Sequence, residues 1–166
     1  EAAFSDIGPV DILINNAIGN QKAVKDVGQN FWPDLAVGLG GAFHLIALLG
    51  PKMKNGVILN MGSDLSLIAP DPSLYLPGYA KSVSYSVIKH GIIGLTRYFA
   101  AFWPGKVRCN CLCPSGLEQF QKVPRNMMGR LAKPDEMKGP IAFLISDASS
   151  FVNGAVLTVD GGRTAL

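Results

Sequence analysis

Short apolar runs alternate with longer helical patterns along the chain. Residues 10–14 (VDILI) form a β-branched-rich run that stops at Asn15-Asn16-Ala17. The pattern returns at 56–60 (GVILN), 107–112 (VRCNCL) and 155–159 (AVLTV), halted by Met61-Gly62-Ser63, Pro114-Ser115-Gly116 and Asp160-Gly161-Gly162. Runs this short and this continuously apolar predict strands buried on both faces. Helical periodicity fills the gaps. Residues 33–49 read as a helix weakened by Gly38, Gly40 and Gly41, because glycine costs about 1 kcal/mol at an interior helical position. Residues 82–102 are the strongest helix, with Ser82 or Ser84 available as N-cap. Pro134-Asp135-Glu136 opens another, with proline at the first position and acids in the first turn. Four strands joined by three helical crossovers predict an α/β fold, a parallel sheet covered by helices on both faces.

In open sheets of this kind ligands bind beyond the carboxyl ends of the strands. The turns to search are therefore 15–19, 62–66 and 114–119. Two longer loops lie nearby: 69–78, with three prolines, and the stretch from 116 to 133.

Composition narrows the function classes. The chain has 166 residues, 48% apolar and 16% charged, about one globular domain. The longest charge-free run, 35–51, holds several glycines and a histidine and falls short of the 18 or so apolar residues of a membrane span, so no membrane segment is expected. The net charge of +3 comes from scattered basic residues, without the clustered footprint of a nucleic-acid binder. The opening EAAFSDIG lacks a basic and an apolar leader region and reads as the tail of a helix. Cys109, Cys111 and Cys113 alternate along one strand and share a face. That spacing suits a buried row of reduced thiols rather than a metal site, and a reducing, cytoplasmic compartment.

Candidate chemistry centres on Tyr85 and Lys89, four apart and so on one helix face. Alone the spacing is weak: with four Tyr and ten Lys in the chain, chance supplies one about one time in four. Chemically the pair is apt. Tyrosine titrates near 10 and is a poor base at neutral pH. An ammonium about 4 Å away stabilises the phenolate by roughly 4 kcal/mol in a semi-polar site, enough to bring the phenol toward the working range of a general acid/base. Ser63, following a strand end, is placed to hydrogen-bond a substrate oxygen, although taken by itself it is better read as a plain turn serine. His44 and His90 read as packed or surface residues, Asp135-Glu136 as a helix-start pair, and Asp64 as a solvated loop acid.

Five strings occur in one order: VDILINNA, GVILNMGS, YSVIKHGIIGLTRYFA, KVRCNCLCPSG and PDEMKGPIAFLISDASSFVNGAVLTVDGG. In content and order they resemble the short-chain dehydrogenase/reductase family, from about Gly8 to Gly162. The resemblance implies a Rossmann-type oxidoreductase using NAD or NADP on an alcohol or ketone, in a homo-oligomer (dimer or tetramer) built on the Tyr85 helix. It implies Tyr85 as proton donor or acceptor, Lys89 as its electrostatic partner and ribose ligand, and Ser63 as the group polarising the substrate oxygen. It further implies Asn16 and Ala17 beside the adenosine ribose, Pro114 and Leu117 behind the nicotinamide, and 116–130 as the segment closing over substrate.

The sequence also departs from that family. Its first strand, Gly-rich phosphate turn and cofactor selector are not among these residues, so amino-terminal βα units, on the order of 60–90 residues, are expected to be missing. A partial domain spanning 1–166 would leave residues 10–14 as an exposed edge strand prone to aggregation. Gly38 stands where the family places the asparagine of its proton relay, and Ile18 where NNAG has glycine. Ser63 precedes Tyr85 by 22 residues rather than about a dozen; Ser73 is closer in spacing but sits among prolines. The inserted SDLSLIAPD stretch is expected near the substrate mouth and hints at a sugar-like substrate. Two other readings stand beside the oxidoreductase: a truncated or degenerate relative serving as a binding or assembly module, and a sugar-nucleotide epimerase, against which the closing VDGG and compact length argue.

Overall fold

A computed structural model describes residues 8–19, 23–119 and 121–165; the helix-tail reading of 1–7 lies outside them. Four strands, β1 (Ile12–Asn15), β3 (Gly56–Met61), β5 (Val107–Pro114) and β6 (Val156–Val159), form a parallel sheet in the order β1-β3-β5-β6. Register is continuous across it, with Leu13 beside Ile58 and Ile58 beside Cys109. A two-stranded antiparallel sheet that the pattern does not predict pairs β2 (Ala23–Val24) with β4 (Ala80–Lys81).

The side-chain alternation of β3 and β5 explains the two-sided core. Ile58, Cys109, Cys111 and Cys113 face one way, against Ile46 of α2 (Gly41–Leu49) and Ile88, Ile92 and Phe99 of α3 (Val83–Ala100). Leu59 and Leu112 face the other, against Leu144 of α4 (Lys138–Ile145). Each such fully buried aliphatic side chain contributes about 1.5–3 kcal/mol. The three thiols are free and buried, as the shared strand face predicts. A polar thread crosses this core: Asn15 Nδ2 donates to Asn60 Oδ1 at 2.8 Å, and Asn60 Nδ2 donates to Thr96 Oγ1 at 2.9 Å.

The first predicted helix is two α segments, α1 (Phe31–Leu35) and α2, joined through a π-helical turn at Ala36–Gly40. The weak glycine-rich stretch is where the helix widens. Gly38 is buried there, and a Cβ on it would stand 2.9 Å from both Cδ1 and Cγ2 of Ile88. By length and composition the helix Phe31–Lys52 is long and apolar enough to cross a membrane, a measure that the core helix of a layered domain also meets. Its face bearing Ala42 and Ile46 is core, as in the central helix of a layered domain. At the β1 edge Ile12 and Ile14 are 45% and 42% exposed. The covering of both sheet faces therefore does not extend over β1 among the described residues.

Candidate active site

The site is built on three strand ends. At the end of β3, Gly62 N–H donates to the Leu112 carbonyl at 2.7 Å. A Cβ on Gly62 would lie 2.5 Å from Cys113 Sγ and 2.9 Å from Cys111 Sγ, so only glycine lets the strands close here. Ser63 then caps a short 3-10 turn, Asp64–Ser66, accepting from Leu65 N–H at 3.2 Å while Ser66 Oγ accepts from its own N–H at 3.0 Å. Its hydroxyl donates to Asp64 Oδ1 at 2.8 Å.

Helix α3 supplies the second wall. Ser82 caps it, accepting from Tyr85 N–H at 3.4 Å, and Ser84 Oγ donates to buried Asp34 at 2.7 Å, tying α3 to α1. Tyr85 and Lys89 follow one turn apart. Lys89 is buried and its Nζ donates to the Met61 carbonyl at 2.6 Å. Burial pushes the Lys89 pKa down, with Cys111 and Cys113 opposing.

Tyr85 corrects one expectation. Burial pushes its pKa above the ordinary tyrosine value, and a hydrogen bond with Ser63 only partly offsets this. Lys89 Nζ is 5.7 Å from the Tyr85 ring centroid and engaged with the backbone. The phenol held here is neutral at pH 7, the form that donates a proton.

Between these walls lies a cavity of about 1100 Å³, onto which Asn16, Ser63, Tyr85, Lys89, Pro114 and Leu117 all open. Ala17 is exposed on the adjoining turn and is not among the lining residues. Ser73 also reaches the cavity, but its hydroxyl and N–H are both given to Asp71, at 2.7 and 2.9 Å. It is Ser63 that meets Tyr85. The inserted SDLSLIAPD stretch contributes Ser63, Asp64 and Leu65 to the wall, the proline loop 69–78 contributes Leu74 and Tyr75, and the 116–130 segment contributes Gln121, Lys122 and Arg125. His44 and His90 bond backbone carbonyls one turn back on their own helices.

Four functional-site residues were not singled out from the sequence: Asp64 as a buried group, Ser115, Arg163 and Lys81. Asp64 is no solvated loop acid. Its Oδ1 accepts from Ser63 Oγ and Leu65 N–H, both at 2.8 Å. Its Oδ2 accepts from Ser115 Oγ at 2.8 Å and meets Arg163 Nε at 3.2 Å, in a pair whose side chains are 8% and 9% exposed. The closing VDGG string explains how Arg163 arrives there. Gly161 and Gly162 take φ of +65° and +85°, a region costly for other residues. Asp160 meanwhile accepts from Gly162 N–H, Thr164 N–H and Thr164 Oγ1. The turn thus folds Arg163 back onto Asp64 and so braces Ser63. Lys81, at the end of β4, lies with Nζ 3.9 Å from the Tyr85 ring centroid and opens onto the same cavity.

A family model described as enoyl-(acyl carrier protein) reductase matches residues 1–164. The chain is 32% identical to D-threitol dehydrogenase of Mycolicibacterium smegmatis over 182 residues, covering 99% of this chain and 66% of that protein. A crystal structure of a short chain dehydrogenase from Leptospira borgpetersenii with bound NAD+ superposes with TM-score 0.80 at 32% identity, over 93% of this chain and 65% of that one. The chain belongs to the short-chain dehydrogenase/reductase family. Cis-4-hydroxycyclohexanecarboxylate dehydrogenase of Sinomonas cyclohexanicum, 34% identical over 188 residues, is another relative, of which the match covers 70% and all of this chain. The chain spans about two thirds of the length of these dehydrogenases.

Proposed function

We propose that this chain carries the catalytic side chains of an NAD(P)-dependent oxidoreductase interconverting an alcohol and a ketone. The observation that carries the reading is the meeting of Tyr85 with Ser63, one helical turn from Lys89, on the wall of a cavity beyond the carboxyl ends of β1, β3 and β5. The residues present fit a nicotinamide cofactor. A cavity of about 1100 Å³ exceeds the 300–1000 Å³ of one small-ligand site, leaving room for a nicotinamide ring beside a substrate. Lys89 would hold the ribose, with Pro114 and Leu117 behind the ring and Asn16 and Ala17 toward the adenosine side.

When bound, the cofactor gives or takes the hydride. Tyr85 moves the proton at its phenolic oxygen, donating to a ketone oxygen or accepting from an alcohol. Because burial keeps the phenol protonated, the ketone-reducing direction starts from the form already present. Ser63 turns its single hydroxyl proton from Asp64 to the substrate oxygen. Leu65 N–H, Ser115 and Arg163 keep Asp64 satisfied when it does so. Lys89 favours the phenolate in the reverse direction through its charge.

The test is Tyr85→Phe, read by NADH and NADPH fluorescence titration and by turnover on a panel of ketones and polyols. Turnover should fall about 100- to 10,000-fold with cofactor affinity unchanged; undiminished turnover refutes the assignment. A binding or assembly module is the second reading, and the side-chain-free Gly38, packed under Ile88, favours it. Saturable cofactor binding with no turnover on any substrate would select it. The related dehydrogenases act on a polyol and on a hydroxycarboxylate by name, which supports a small-molecule alcohol as substrate.

The chain would form one domain unit in a homo-oligomer. Exposed Phe43, Val87, Tyr98 and Phe102 on α2 and in and just beyond α3 supply an apolar face for a second copy, which sedimentation equilibrium checks. Its buried free thiols suit the cytoplasm.

A further inference from the structure

Among the described residues, the hydroxyls of Ser63, Ser73, Tyr75, Tyr85 and Ser115 line the cavity, and all but one have partners. Ser63 and Ser115 both donate to Asp64 at 2.8 Å, and Ser73 donates to Asp71 at 2.7 Å. Tyr85 meets Ser63. Tyr75 is left over: its half-buried ring opens onto the cavity, and its hydroxyl bonds none of the described residues.

The backbone beneath Tyr75 is tightly held. It follows the 3-10 turn Pro72–Leu74, and its N–H donates to the Pro72 carbonyl at 3.2 Å. Asp71 caps that turn by accepting from Ser73 N–H at 2.9 Å, and Arg125 of the 116–130 segment holds Asp71 at 2.6 Å. Pro70, Pro72 and Pro77 restrict the chain on either side. A side chain carried on such a loop meets a ligand with little freedom left to lose.

The surroundings of the phenol place it beside the reacting groups. Burial raises the Tyr75 pKa; the charge of Arg163 opposes this and that of Asp64 adds to it. Asp64 acts in the same sense on Tyr85, after burial and the bond with Ser63. The hydroxyls of Ser63, Tyr85 and Tyr75 are thus gathered around one carboxylate. Tyr75 is a neutral phenol at pH 7, which both gives and takes a hydrogen bond.

We propose that Tyr75 determines specificity by binding a second hydroxyl of the substrate, on the carbon next to the one that Tyr85 and Ser63 serve. The substrate class is a vicinal diol and, in its oxidised form, the α-hydroxyketone. The proposal rests on the oxidoreductase reading for which carbon reacts, but not for the hydroxyl site. Tyr85 and Ser63 are both taken up by the reacting oxygen, so a neighbouring oxygen needs another partner. A hydroxyl matches the phenol as donor and as acceptor, whereas a carboxylate only accepts.

The deciding experiment titrates the chain with 2,3-butanediol and with 2-butanol, followed by NMR. On Tyr75→Phe the ratio of diol to alcohol affinity should fall about 10-fold, with amide spectra confirming that the variant is folded. Tyr75→Phe keeps the ring, so a change in that ratio reports the hydroxyl alone. An unchanged ratio, or no measurable binding of the diol to the wild type, overturns the proposal.

A turnover arm separates this from the oxidoreductase reading. With 3-hydroxy-2-butanone and 2-butanone as substrates, Tyr75→Phe should lower kcat/KM for the hydroxyketone about 10-fold, chiefly through KM, and leave the plain ketone unchanged. An equal loss on both, with a shifted pH profile, would assign Tyr75 to the ionisation of Tyr85 and sink the diol site. Absence of turnover in the wild type, with the Tyr75-dependent affinity ratio intact, would remove the oxidoreductase reading and leave the hydroxyl site standing.

Discussion

Removing the charge of Asp64 tests whether the carboxyl-terminal turn braces the site. The carboxylate is 8% exposed, faces Arg163 Nε at 3.2 Å, and accepts at 2.8 Å from Ser63, Leu65 and Ser115. Asp64→Asn keeps the shape but leaves the Arg163 guanidinium buried without its anion, and turns one acceptor into a donor. Breaking one side of a buried pair costs about 3–5 kcal/mol. Asparagine, which retains one acceptor, belongs at the lower end, about 3 kcal/mol. For a chain of this size that lowers Tm by roughly 6–12 °C. Urea unfolding of the wild type, Asp64→Asn, Arg163→Gln and the double variant closes the cycle. The double variant should be more stable than the summed single losses allow by at least about 1 kcal/mol. A loss below about 1 kcal/mol for Asp64→Asn, the size of a surface pair, or strict additivity, would refute the brace.

Two further predictions concern packing and pH. Gly38→Asn, which restores the residue the family places there, should cost about 1–3 kcal/mol, because its Cβ falls 2.9 Å from two carbons of Ile88; Ile88→Ala should recover part of it in a denaturation curve, and a neutral Gly38→Asn would refute the packing argument. Glu136 takes two hydrogen bonds from Arg130, at 2.6 and 2.7 Å, and one from Lys133 N–H at 2.8 Å, and these hold its carboxyl down from 4.5 to about 2. A depressed carboxyl contributes stability that is full above about pH 4.5 and lost as pH falls toward about 2. The urea midpoint of the wild type should therefore drop more steeply over that window than that of Glu136→Gln, and parallel curves would sink the assignment.

The four core strands and three crossovers were legible because burial writes itself into residue type. Strands such as GVILN and VRCNCL are apolar on both faces since helices cover both, and Ser82 and Pro134 mark helix starts by their own chemistry. The antiparallel pairing of Ala23–Val24 with Ala80–Lys81 was not legible: two residues carry no period. Nor was the π turn at Ala36–Gly40, although its glycines announced a weak point. At the site, Ser63, Tyr85 and Lys89 were found by ordered strings, and the structure places them around one cavity. The direction of the Tyr85 shift was missed because spacing gives the Lys89 charge but says nothing of burial, which here sets the direction.

Asp64 and Arg163 show why that limit is physical. A lone aspartate after a strand-end serine is, on sequence, a loop acid; only a partner 99 positions away makes it structural. That partner is delivered by a turn whose glycines need positive φ and whose Asp160 collects three hydrogen bonds. The closing VDGG string is therefore read twice in the fold. It ends the last strand, and it aims Arg163 at the acid that holds the Ser63 hydroxyl. Changes in that turn should accordingly act on Ser63 without touching the cavity: Gly161→Ala strains a φ of +65°, releases Arg163, and lets the Ser63 proton wander. If that reasoning holds, the loss in Gly161→Ala should shrink in an Asp64→Asn background to the strain of the turn itself, since nothing remains there for Arg163 to brace; equal losses in both backgrounds would mean the turn matters only for its own strain.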